Sequence, residues 1–169
     1  IQDSIDENTL NSYYGSTNAF SENEFESVSF GILKQSAFPG DDWIINGGNT
    51  VRQEYDINSS TDGVIKKYTT TATWDNVNKM YTSSIPLVNS YGTGELYKFR
   101  VIDEDENEKF VFKDKLGRII LSRKNDGNDF VDTYYVYNDY NQLSYIIPPL
   151  ASVKANLSQF ILDELCYQY

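Results

Sequence analysis

Apolar and polar residues alternate with a period of two along much of this chain, and clusters of Asn, Asp, Gly and Ser interrupt the alternation. The most regular stretch runs from residue 110 to 149 and holds one strand-turn-strand pattern written twice. With Gly117-Arg118-Ile119 set over Asn141-Gln142-Leu143, Val111 falls on Tyr135, Lys113 on Tyr137, Asp114 on Asn138 and Leu121 on Tyr145. Each copy predicts a β-hairpin: alternation, a polar turn, then alternation again. The first copy turns at Lys115-Leu116-Gly117-Arg118, and Asn125-Asp126-Gly127-Asn128 links the two through an Asp-Gly pair, a strong hairpin signal.

Upstream, Val51, Gln53, Tyr55 and Ile57 alternate with Arg52, Glu54 and Asp56. With Val64 to Trp74 and Lys79 to Ile85 they predict a three-stranded antiparallel meander, with Pro86 ending the third strand or sitting on an edge. Glu95 to Ile102 reads as a further strand, followed by the acidic run Asp103-Glu104-Asp105-Glu106-Asn107-Glu108. Asp103, Asp105 and Asn107 stand at calcium-ligand spacing, but Glu108 occupies the position that requires Gly and Asp114 the position where Glu is usual. The run therefore reads as a solvated hairpin tip.

The two ends differ from this middle. Residues 1–30 predict a loosely structured, extended arm anchored by Tyr13, Tyr14, Phe20, Phe25 and Phe30, with a helical turn from Glu22 to Ser27 opened by a Ser21/Glu24 capping box. Residues 31–109 form the antiparallel β region, entered through the turn formers FPGDDW and NGG, 110–149 the two hairpins, and 150–169 a helix and the start of a further strand. After Pro148-Pro149, the residues Val153, Leu157, Phe160, Ile161 and Leu165 recur at helical spacing, so one amphipathic helix is expected over 152–165 with Ser152 as N-cap. The fold class is mainly β: antiparallel hairpins or a meander forming a curved ribbon or open sheet, with that one helix near the C-terminus.

Composition narrows the function classes. Fourteen Tyr, nine Phe and two Trp among 169 residues support strands, and a net charge of −11 argues against nucleic acid and anionic lipid as partners. No apolar run approaches the roughly 20 residues that span a bilayer, so no membrane insertion is expected. The chain begins at Ile1 rather than Met, which suggests a mature or excised piece. Without His and with the single Cys166, it holds no Ser-His or Cys-His dyad, and no metal site or cofactor is expected. Cys166 itself reads as a small buried apolar side chain. Paired carboxylates could in principle cleave glycosides, but no particular acid is tied to a pocket, and the chain is expected not to be an enzyme. The candidate binding residues are aromatic: Tyr135, Tyr137 and Tyr145, which share a face if the backbone stays extended, and Trp43. They read either as packing or as surfaces on which a sugar ring stacks. Asn58-Ser59-Ser60 and Asn156-Leu157-Ser158 match the N-glycosylation pattern.

Phe112-Lys113-Asp114-Lys115-Leu116-Gly117-Arg118-Ile119 and Tyr135-Val136-Tyr137-Asn138-Asp139-Tyr140-Asn141-Gln142-Leu143 resemble degenerate copies of the repeat Tyr-Asp-x-x-Gly-[Arg/Asn]-Leu. With the phrases FSENEFE, LKQSAFPGDDW, GELYKF and LDELCYQY, the chain from about Tyr13 onward resembles the RHS/YD-repeat proteins, in particular the branch found in gliding-type Gram-negative bacteria. Asn138, Asn141 and Gln142 depart from the repeat's Asp, Gly and Arg/Asn, and Phe112-Lys113 stands in for Tyr-Asp. The family's self-cleavage motif has no match here. The resemblance implies a structural segment at the start of a β-ribbon that spirals into a shell, secreted or on the cell surface. Its partners would be neighbouring repeats or another copy of the chain, and possibly an enclosed C-terminal toxin. The alternative is a surface β-module that binds a glycan or a protein.

Overall fold

The computed structural model describes residues 7–15, 18–27, 31–127 and 129–169. In chain order its elements are α1 (Glu7–Tyr14), β1 (Glu22–Phe25), β2 (Leu33–Ala37), β3 (Val51–Ile57), β4 (Lys66–Thr69), β5 (Ala72–Asp75), β6 (Met80–Ser83), β7 (Leu87–Ser90), β8 (Tyr97–Ile102), β9 (Glu108–Lys113), β10 (Ile119–Asn125), β11 (Phe130–Tyr137), β12 (Leu143–Ile147), α2 (Pro149–Ser152), α3 (Gln159–Leu165) and β13 (Tyr167–Gln168). The protein is mainly β, built of open antiparallel sheets with a helix near the C-terminus, as the alternation predicts. It divides into two compact units, residues 1–54 with 100–108 and residues 55–99 with 109–169.

In the first unit β1 pairs with β2, and β2 with β3. The helical turn expected from Glu22 to Ser27 is instead strand β1, because Asn23 and Glu24 find cross-strand partners: Ser36 Oγ donates to Asn23 Oδ1 (2.8 Å) and Lys34 Nζ to Glu24 Oε1 (2.9 Å). A long-range ladder here overrides a local capping signal. Tyr13, Tyr14 and Phe25 are exposed and do not act as anchors, while Phe30 lies outside the described residues. The anchor is polar: buried Asn18 donates from Nδ2 to the carbonyls of Gly40 (3.2 Å) and Trp43 (3.4 Å), and its own carbonyl accepts from Gly40 N (2.7 Å).

In the second unit β9 to β13 pair in chain order, each antiparallel to the next. The three-strand meander is not what forms upstream. The segment 64–90 is one broken hairpin, in which β4 pairs with β7 and β5 with β6, and β3 lies beside β8 instead. The break falls at Thr70-Thr71 opposite Ser84 to Pro86. There Thr70 Oγ1 donates to Ser84 O (2.6 Å), and Pro86 has no N–H to continue a ladder.

The helix expected over 152–165 is divided. Pro148 caps and Pro149 opens the single turn α2, residues 153–158 are non-helical, and α3 starts afresh with Ser158 as N-cap, its Oγ accepting from Ile161 N. Asn156 and Ser158 favour such local bonds over a helix interior. Leu157 and Leu162 reach the core, whereas Val153 and Phe160 are exposed.

Among the described residues the core is one cluster in the second unit, including Ile65, Leu96, Phe112, Leu121, Tyr134, Val136, Tyr145, Ile147 and Leu162. Arg123 is buried with it. Its Nε donates to Asp132 Oδ1 (2.7 Å) and its Nη2 to Asp132 Oδ2 (2.8 Å), Nη1 reaches the carbonyl of Asp62, and Phe130 lies 4.6 Å from the guanidinium. Burial disfavours the charge, and Asp132 more than offsets it, so the Arg123 pKa is raised. Asp62 in turn accepts from Lys98 Nζ (2.7 Å). Burial pushes its pKa up, but the bonds from Lys98 and Ser59 outweigh that and hold it below the ordinary carboxylate value.

Candidate functional site: a tyrosine-lined cleft beside two matched turns

The doubled pattern read from sequence is a doubled hydrogen-bond scheme. In the first turn Asp114 N donates to Arg118 O (3.0 Å), Gly117 N to Asp114 O (2.9 Å), and Asp114 Oδ1 accepts from Leu116 N (2.9 Å) and Arg118 N (3.0 Å). In the second, Asn138 N donates to Gln142 O (2.9 Å), Asn141 N to Asn138 O (3.0 Å), and Asn138 Oδ1 accepts from Tyr140 N (3.0 Å) and Gln142 N (2.9 Å). The fourth residue is left-handed in both, Gly117 at φ 79 and Asn141 at φ 63. A β-bulge follows in both: the register slips between Ile119 and Leu121, and again between Val136 and Tyr137 opposite Tyr145 and Leu143. Asp103 to Asn107 repeats the turn a third time, with Glu106 at φ 62, so the acidic run is indeed a hairpin tip, closed by its own first carboxylate.

A fourth use of the scheme went unseen in the sequence. Asn58 N donates to Leu96 O (2.9 Å), and Leu96 N returns to Asn58 Oδ1 (2.8 Å), the reciprocal pair that Asp114 makes with Arg118. Residues 59–95 stand where the other turns have a tripeptide, so β4 to β7 form an excursion from a hairpin end. Asn58 is buried, and its amide also donates to Gly92 O (2.9 Å), so this sequon is spent on structure, while Asn156 is exposed.

The excursion and the first turn form a cleft of about 320 Å³ lined by Lys67, Tyr91, Glu95, Asp114, Lys115, Leu116 and Arg118. A recess of about 170 Å³ shares Lys67, Tyr91 and Arg118 and adds Tyr68, Tyr135, Tyr137 and Asn141. Arg118 ties the turns together: Nε donates to Asp114 Oδ2 (2.7 Å), Nη1 to Asn141 Oδ1 (2.7 Å), and the guanidinium lies 4.7 Å from the Tyr137 ring. Lys67 Nζ sits 5.1 Å over the Tyr91 ring. Burial raises the phenol pKa of both Tyr91 and Tyr137, which keeps them neutral hydrogen-bonding groups.

The four aromatic candidates separate. Tyr135 and Tyr137 line this cleft together, half-buried. Tyr145 does not share their face. It pairs with Val136, and successive residues of β11 alternate, so Tyr145 joins Tyr134 and Val136 in the core, its hydroxyl donating to Ser83 O (3.0 Å). The count of eight from Tyr137 to Tyr145 passes through a five-residue turn and a bulge, neither of which keeps extended parity. Trp43 belongs to the first unit, half-buried, with Phe38 edge-on at 6.2 Å. An aromatic row that the sequence did not suggest lies exposed elsewhere in the second unit: Trp74, Tyr81 and Tyr140, with ring centroids 5.2 and 5.9 Å apart. Beside it a cleft of about 410 Å³ is lined by Tyr81, Tyr145, Gln159, Gln168 and Tyr169. The amides of Gln159 and Gln168 both donate to Asp163 Oδ1, at 2.8 and 2.9 Å.

Comparisons with protein-family models, with curated proteins and with solved structures give no match.

Proposed function

We propose that the chain is a non-catalytic structural segment of a β-ribbon of the RHS/YD-repeat type, packing against further repeats and helping to enclose a C-terminal toxin or cargo. The observation that supports this reading is the matched pair of Asx-closed hairpins, which share the backbone hydrogen-bond scheme, the position of the left-handed residue and the position of the bulge. Such a module is a building brick: the part that recurs between the two copies is backbone geometry, and the side chains it fixes are those of the turn. In this reading the chain is secreted or surface-located and works through its edges. β1 and β13 each lack a second strand neighbour among the described residues, and an unpaired edge is a template for another strand. The test is size-exclusion chromatography with light scattering over a range of concentrations. Self-association, or assembly with a ribbon fragment carrying further repeats, is expected. A monodisperse monomer that takes no partner would overturn the segment reading.

A second reading, a surface β-module that binds a glycan, is favoured by a different observation. The tyrosine-lined cleft is built by an excursion that the ribbon's own hairpin closure does not need.

A further inference from the structure

We infer that the cleft between the excursion and the first turn, with the recess beside the second turn that shares its Lys67, Tyr91 and Arg118, takes a sugar bearing a carboxylate, of the uronic acid class, with Lys67 as the residue that selects the charge. The inference rests on the glycan-binding reading and is independent of the ribbon. It follows from a charge account of the cleft, in a chain whose net charge of −11 makes an anion an unexpected ligand.

The acids there are already engaged. Glu95 Oε2 accepts from Gly92 N (3.0 Å), Asp114 is held by Arg118 and by the backbone of its own turn, and Asp139 Oδ1 accepts from Ala72 N (2.9 Å). The cations are not fully engaged. Lys67 makes no ion pair among the described residues and is held against the Tyr91 ring, which leaves its ammonium donors free for an oxygen acceptor. Arg118 uses Nε and one N–H of Nη1 in side-chain bonds, with Nη2 near the same Asp114 oxygen, so both terminal nitrogens keep donor capacity. Of the three cations that line the cleft, Lys67, Lys115 and Arg118, Lys67 and Arg118 are thus each held against a ring while remaining able to donate to a carboxylate.

The rest of the lining suits a sugar better than a peptide. Tyr91, Tyr135 and Tyr137 offer ring edges and faces to C–H groups, and their phenols, with Asn141 and Thr69, offer the mixed donors and acceptors that hydroxyls need. The cleft of about 320 Å³ and the adjoining recess of about 170 Å³ that these tyrosines line are at the small end of ligand sites, where a short run of sugar fits and a folded partner does not. The neutral cleft near Tyr81 has no cation in its lining and would not make this distinction.

The test titrates the full chain with a galacturonic acid trisaccharide and with a neutral glucose trisaccharide by calorimetry. Wild type and Lys67→Gln are compared, and thermal melts confirm that the variant folds. The uronate is expected to bind at least about tenfold more tightly than the neutral sugar, and Lys67→Gln to remove about that factor, the worth of one charge-assisted hydrogen bond. Equal binding of the two sugars, or an unchanged Lys67→Gln, overturns the uronate assignment while leaving a glycan site. No binding of either sugar overturns the glycan reading with it. A poly-glutamate peptide that binds as tightly as the uronate reassigns the cleft to an acidic protein segment and also overturns the inference.

Discussion

The hairpin closed by Asp114 and the one closed by Asn138 reach the same backbone through different side chains. In one the anchor is a carboxylate, the left-handed residue is Gly117 and the closing residue is Arg118; in the other these are an amide, Asn141 and Gln142. What they share is an oxygen on a one-carbon stem, placed to accept two backbone N–H groups across the turn. The difference teaches that charge is not part of closing the hairpin. Charge acts sideways instead: Arg118 holds Asp114 within its own turn and Asn141 in the neighbouring one, and the cleft is built around that link.

The largest test of the equivalence is in the core. Leu121 and Tyr145 occupy the same place after each bulge and are almost fully buried. Leu121→Ala and Tyr145→Ala should each cost about 3 to 5 kcal/mol in urea unfolding, through lost burial and the cavity left behind. A cost below about 1 kcal/mol for either would break the equivalence, since a residue that truncates so cheaply is not core. Next come the anchors. Asp114→Ala and Asn138→Ala should each lose about 1 to 3 kcal/mol, because backbone N–H groups across the turn lose their acceptor. Asp114→Asn is the sharper variant: with the acceptor kept and the partly exposed ion pair to Arg118 gone, it should cost less than about 1 kcal/mol. If Asp114→Asn costs as much as Asp114→Ala, charge does close that turn.

The sequence made this pair visible because a hairpin repeat is local: period-two alternation and a turn residue at fixed offset survive in one dimension. The alignment that set Asp114 on Asn138 and Leu121 on Tyr145 is the structural one. What it could not carry was anything that depends on parity through a turn or on distant pairing. A residue count puts Tyr145 on the face of Tyr135 and Tyr137 because neither the turn nor the bulge registers in it. The Asn58 turn was hidden because its partner is Leu96, with 59–95 between them. Half the cleft was hidden with it, since Lys67 and Tyr91 lie in that excursion; the one available signal was that Asn58 ends a strand as Asp114 and Asn138 do. At the C-terminus a spacing of apolar residues suggested one helix, and the capping chemistry of Pro149 and Ser158 divided it.

A smaller effect separates the left-handed positions. Gly117→Ala places a Cβ at φ 79 and should destabilise by about 1 kcal/mol, whereas Asn141→Gly relaxes a strained position while removing the acceptor for Arg118 Nη1, so it should fall within about 0.5 kcal/mol of neutral. Urea unfolding of the pair measures this directly. Asn141→Gly costing as much as Gly117→Ala would mean that the Arg118 link, rather than backbone strain, dominates the second turn.

The smallest effect is the most specific, because it sets the turn closed by Asp103 against the one closed by Asn138. Both close through a side-chain oxygen, but only one of them titrates. Backbone and side-chain hydrogen bonds from Asn107 hold the Asp103 pKa below the ordinary carboxylate value. A lowered folded pKa means that the carboxylate's contribution is fully present above the unfolded value of about 3.9 and is lost as pH falls through the folded one. Acid should therefore loosen the Asp103 turn and leave the Asn138 turn unchanged. In amide NMR, the Asp105 and Asn107 signals should shift and lose protection from exchange as pH drops below about 4. Those of Tyr140 and Gln142, whose acceptor is an amide, should hold still over the same range. Replacing Asp103 with Asn should abolish the shift. If the two turns respond alike to acid, or the response survives Asp103→Asn, the acid sensitivity belongs to another group, and the four Asx closures are alike in chemistry as well as in shape.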